Sequence, residues 1–105
     1  MAFTSKPWDG SASKYPTTEA YCAACLIDTN ESGQDKVQAK CKLPIKEPNG
    51  DYNENAIHAA AAALAGARGG VQASPADKKK AARTLVRLYG QMKQDAPDSL
   101  KKLAQ

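Results

Sequence analysis

The chain has 105 residues and a formal charge of +4; hydrophobic residues make up 42%, and 20 of them are Ala. So short a chain is one domain at most, and so few large apolar side chains make a small core. Ala favours helix and fills little volume, which argues against a sheet sandwich and against a large enclosed substrate pocket. No stretch approaches the roughly 20 apolar residues of a membrane span, so no membrane partner is expected. The segment from Met1 to Trp8 lacks the apolar region of a signal peptide, so synthesis and retention in a reducing cytoplasm are expected. Three Cys is an odd number, and a closed disulfide framework is not expected. The charge is unevenly placed: residues 1–50 are neutral, and residues 51–105 carry nine Lys or Arg against five acids.

Residues 1–16 read as an extended arm, punctuated by Pro7, Gly10 and Pro16 without helical or alternating period. Phe3, Trp8 and Tyr15 stand out in it. They either cap the domain's own core or dock on a partner, as aromatic anchors in an arm do. Residues 17–105 read as a single small helical domain. Thr17 or Thr18 can cap a short helix to about Leu26, with Glu19 in its first turn and Tyr21, Cys22, Cys25 and Leu26 on its apolar face. Residues 28–36 form a polar loop. Val37 to Lys42 suits a helical turn, and Leu43 to Lys46 an extended edge segment, because Pro44 cannot donate to a ladder. Pro48-Asn49-Gly50-Asp51 is a turn.

Asn53 or Asn55 then caps an Ala-rich helix, approximately Glu54 to Ala67, whose stripe is Ile57, Ala60, Ala61 and Leu64. Gly66, Gly69 and Gly70 mark its end. Ser74-Pro75-Ala76-Asp77 starts a helix running to about Lys93. Ala82, Leu85, Val86, Tyr89 and Met92 share its inner face; Lys79, Lys80, Arg83 and Arg87 share the other. Pro97 starts a last short helix to Leu103, with Leu100 and Leu103 inward. The fold class is mainly α: a small bundle of three to four short helices, an extended N-terminal arm and a Pro-rich extended segment.

Cys22-x-x-Cys25, Cys41 and the lone His58 are chemically suited to tetrahedral zinc. The spacing argues against it: the later gaps are 15 and 16 residues and no second close pair exists. The Cys side chains are read as small buried hydrophobes, and neither a metal nor a cofactor is expected. His58 has no sequence-evident nucleophile or carboxylate partner, and Gly66 to Gly70 ends a helix, the wrong polarity for holding phosphate. No enzyme is expected. The basic face is a solvated surface or a phosphate-binding one, without a base-reading pattern.

Five blocks together resemble a known family. They are Trp8-Asp-Gly-Ser-Ala-Ser-Lys-Tyr15, Ala24-Cys-Leu-Ile-Asp28, Cys41-Lys-Leu-Pro-Ile-Lys-Glu-Pro-Asn-Gly50, Asn53-x-Asn-Ala-Ile-His-Ala-Ala60 and Ala81-Ala-Arg-x-Leu-x-Arg-Leu-Tyr89. The pattern is similar to a small domain of tailed-bacteriophage head modules, free-standing or appended to prohead proteases and other head proteins. The resemblance runs from Trp8 to about Leu100. It implies a virion or assembly role. It carries over no catalytic residue, because the protease triads have no counterpart. Cys25 and Cys41 fall in its blocks and Cys22 does not, which weakens the zinc set and leaves Cys25 and Cys41 as neighbours in one core.

The expected function is therefore a bacteriophage head-associated structural protein. A capsid decoration (cement) protein is favoured, binding the phage major capsid protein through Phe3, Trp8 and Tyr15 of the arm. It would be made in the host cytoplasm, located in the virion, and able to form a homo-oligomer on the capsid. The alternatives are a head-assembly factor that contacts protease or scaffold, and a non-specific nucleic-acid-binding module using Lys79, Lys80, Arg83 and Arg87.

Overall fold

A computed structural model describes residues 2–31, 33–66 and 70–105. The protein is mainly helical but not a clean bundle. Its contacts form two compact units, Met1–Ala56 and Ile57–Gln105; the sequence reading places its boundary at residue 16 instead.

The first unit is built on short strands. Thr17 accepts the Ala20 amide at 3.0 Å and caps α1 (Thr18–Ala23). The helix ends there, three residues earlier than the expected Leu26, because the next residues join a sheet. β2 (Cys25–Asp28) pairs antiparallel with β3 (Cys41–Pro44), in the register Cys25 with Pro44 and Asp28 with Cys41. Ladder bonds to β3 thus outweigh a helical periodicity that only Cys25 and Leu26 would extend. The expected helical turn before Lys42 is the single 3-10 turn Gln38–Lys40. The turn after Pro48 forms, with the Gly50 amide on the Glu47 carbonyl at 2.9 Å and Gly50 at φ 95°.

The N-terminal arm does not stand free. β1 (Phe3–Thr4) pairs in parallel with β4 (Tyr52–Asn53). Phe3 stacks on Tyr52 with ring centroids 5.4 Å apart. A fully buried polar residue, Asn53, holds this joint. Its Nδ2 donates to the Lys6 carbonyl at 3.1 Å and to Glu47 Oε2 at 2.7 Å, while its Oδ1 accepts the Ala56 amide at 3.1 Å. Asn53 is therefore the cap of α2 (Glu54–Leu64). Asn55, the other candidate, instead donates to the Ser5 and Lys6 carbonyls. The core of this unit is Tyr15, Cys22, Ala24, Ile27, Cys41, Ile45 and Tyr52.

The second unit is helical. Ile57, Ala60, Ala61 and Leu64 of α2 are buried as the stripe requires. The helix ends at Leu64, before the expected Ala67, and Gly66 follows at φ 105°; Ala67 and the expected end marker Gly69 lie outside the described residues. Ser74 accepts the Asp77 amide at 3.1 Å and starts α3 (Pro75–Gln91). Its buried face is Ala81, Ala82, Leu85, Leu88 and Tyr89. Val86 and Met92, expected inward, are only half-buried. α4 (Asp98–Ala104) packs against α3 and buries Leu100.

α3 ends in a Schellman motif. The Gln94 amide reaches the Tyr89 carbonyl at 3.0 Å, and the Lys93 amide reaches Gly90 at 3.1 Å. Lys93 sits at φ 59°, where a Cβ costs energy and glycine is at ease. Lys93→Gly should therefore stabilise the protein by about 1 kcal/mol, read as a raised urea midpoint at unchanged slope.

Candidate functional site

The three arm aromatics are used within the first unit. Phe3 is on Tyr52, as above. Trp8 carries Lys14 Nζ 3.8 Å above its ring centroid, and Lys14 also reaches Asp9 and Glu47. Tyr15 is 7% exposed, lies edge-on to Tyr21, and donates its hydroxyl to the Lys46 carbonyl. Burial pushes the Tyr15 phenol up to about 12. The expectation of a free-standing arm is thus corrected: of the two uses expected for these aromatics, Tyr15 caps the unit's own core, and Phe3 and Trp8 lie half-buried against it.

A cleft of about 310 Å³ lies beside them, lined by Tyr15, Pro16, Thr17, Tyr21 and Gln38 among others. Its most promising hydroxyls are committed, Thr17 to the Ala20 amide and Tyr15 to Lys46. Nothing in this lining offers a general acid or base near neutral pH.

The Cys set is arranged differently from either sequence reading. Cys22 and Cys41 form a disulfide, with Cα atoms 5.3 Å apart and both residues buried. Neither sulfur is then a thiolate, so the three-Cys, one-His zinc set does not assemble in this form. The odd Cys count concealed one bridge and one spare thiol, and the Cys outside the family-like blocks is a bonding partner. Asn30 Nδ2 lies 3.2 Å from Cys41 Sγ. The Asp28 carboxylate is held at about 2 by Lys36, then by the Asn30 amide and side chain. Cys25 is the free cysteine among the described residues. Burial pushes its thiol up to about 11, against a hydrogen bond from Tyr21 that acts the other way.

His58 belongs to the second unit. Its Nε2 lies 2.8 Å from Gln94 Oε1, and its ring is tilted against Tyr89 at 5.6 Å. This contact ties α2 to the residues that end α3, which is a structural use of the ring.

The basic face stands as expected. Lys79, Lys80, Arg83 and Arg87 are all exposed on α3. Arg83 Nε donates to the Ala104 carbonyl at 2.8 Å, bringing the end of α4, with exposed Lys101 and Lys102, to the same helix. The asymmetry is sharper by unit than by halves of the chain. Residues 57–105 carry nine Lys or Arg against three acids, and residues 1–56 carry six Lys against eight acids. The ion pairs among the described residues, Lys14 with Asp9 and Glu47 and Lys36 with Asp28, all lie in the first unit. No helix of the described residues is long and apolar enough to cross a membrane. The chain matches no family model, no curated protein and no solved structure.

Proposed function

We propose that this chain is a bacteriophage head-associated structural protein that binds the capsid shell, acting as a decoration protein and not as an enzyme. The observation that supports this reading is the commitment of most of its reactive side chains to structure. Cys22 is bonded to Cys41, the Tyr15 hydroxyl holds Lys46, and His58, exposed on α2, pairs with Gln94. Beside the half-buried Cys25 thiol, what the protein offers a partner is charge and surface shape. The blocks that resemble phage head domains support it as well. They supply Cys41, Ile45, Asn53, Ile57, Ala60, Leu85 and Tyr89, all buried parts of the framework.

Because the arm is folded in, the shell is met by the surface of the folded protein. A domain of this size offers little area, so many copies, self-associated on the shell, make the contact durable. The test is co-sedimentation of the purified chain with empty capsids, with a mass-spectrometric inventory of purified virions. Saturable binding and many copies per virion are expected. No binding at tens of micromolar ends the reading. Binding with absence from mature virions replaces decoration by an assembly factor that contacts protease or scaffold.

A further inference from the structure

We infer that the exposed face of α3, extended by the end of α4, is a binding surface for the phosphate backbone of duplex nucleic acid, without sequence preference. The inference does not rest on shell binding and is tested separately from it.

Four cations share one strip. At about 100° per residue, Lys79, Lys80, Arg83 and Arg87 fall within an arc of about 100°, opposite the buried stripe through Leu85. The acid on this helix is Asp77, in its first turn. Lys79 to Arg87 spans about 12 Å, a length of duplex that carries about seven phosphate charges. The Arg83 bond to Ala104 sets α4 beside this strip, adding Lys101 and Lys102.

Three features select the ligand. A protein partner would need apolar or aromatic anchors at the centre of the contact, and the other helix positions within the strip are Ala76 and Gly90, with half-buried Val86 at its edge. A single strand would need aromatic platforms for its bases, but the aromatic of α3 is Tyr89, which is buried. Base reading would need several Asn or Gln, and the exposed or half-buried positions from Lys79 to Gln91 are Lys, Lys, Arg, Thr, Val, Arg, Gly and one Gln in the last turn. What is left is charge matched to charge along a rod, the sequence-independent mode of backbone binding.

The experiment is fluorescence anisotropy of the full chain with two 20-base-pair duplexes of unrelated sequence, from 25 to 300 mM NaCl. Equal affinity for both is expected, with log K falling against log salt at a slope of about −3.5 to −5.5 for the four contacts of α3 and up to two from α4. The variant carrying Lys79→Gln, Lys80→Gln and Arg87→Gln keeps the Arg83 bond to α4. It should lose at least about tenfold in affinity at low salt and about 2.7 of that slope, three contacts' worth, with an unchanged circular-dichroism melt. Lys40→Gln with Lys42→Gln, in the first unit, should change little. Absence of duplex binding at 25 mM salt overturns the inference. So does an unchanged triple variant, or an equal loss in the Lys40 and Lys42 control. Tighter binding to poly-glutamate than to duplex overturns it too, and assigns the face to an acidic protein surface.

Discussion

Replacing Asn53 by Leu is expected to cost about 3–5 kcal/mol, enough to unfold much of a small domain. The substitution keeps the branched shape, adds bulk at a fully buried site and deletes three hydrogen bonds. The Ala56 amide loses its acceptor at a buried helix start. The Lys6 carbonyl loses one of two side-chain donors, since Asn55 also reaches it. Glu47, whose side chain is 16% exposed, loses a donor at 2.7 Å and keeps Lys14 at 3.4 Å. The arm, the turn after Pro48 and the first turn of α2 therefore share one fastening. Urea unfolding at pH 7 measures the loss. N53D separates the parts: it keeps an acceptor for Ala56 but sets a second carboxylate against Glu47. It should be strongly destabilised at pH 7 and regain ground against the unmodified protein below about pH 5, where the new carboxyl is protonated and can donate. An N53L protein as stable as the original would show that the buried amide adds nothing.

Removing the disulfide with Cys22→Ala and Cys41→Ala is expected to cost about 3 kcal/mol. The bridge spans 19 residues, and closing a loop of that length removes about this much free energy from the unfolded chain. Both side chains are buried, so Ala leaves small cavities that add to the loss. Dithiothreitol should bring the unmodified protein to nearly the variant's urea midpoint and leave the variant unmoved. If reductant shifts neither, the bond contributes no stability.

How far the structure is legible in the residues depends on how local each cause is. The start of α3 is readable in four consecutive residues, because Ser74 and Asp77 act on one another's turn. Thr17 is readable as a cap for the same reason. β2 is not, because Cys25-Leu-Ile-Asp28 continues the period of α1 and becomes a strand only through β3, in the segment Cys41–Pro44. The pairing of β1 with β4 is still less local: Phe3 meets Tyr52 across most of the first unit. Leu88 is less legible, because the spacing of Leu85, Val86, Tyr89 and Met92 centres the inner face towards Val86 and Met92, whereas the observed stripe takes in Ala81 and Leu88. The basic face needed only helix periodicity and was legible outright. The cysteine pairing was not, because three thiols allow three bridges and the sequence carries no distance.

The spare thiol makes the order of chemical events matter. In the folded protein partial burial pushes the Cys25 thiol up to about 11, which keeps it protonated and poorly nucleophilic at pH 7. The native bridge is protected by the neutrality of its neighbour. Unfolding removes that protection: the thiol falls back towards about 8.5 and, three positions from Cys22, can attack the bridge and be exchanged into it. The chain then holds three isomeric pairings of equal covalent count, only one of which matches the β2–β3 register. Folding is thus also the step that proofreads the sulfur connectivity, and a chain that oxidises before it folds is sorted by exchange instead of by packing.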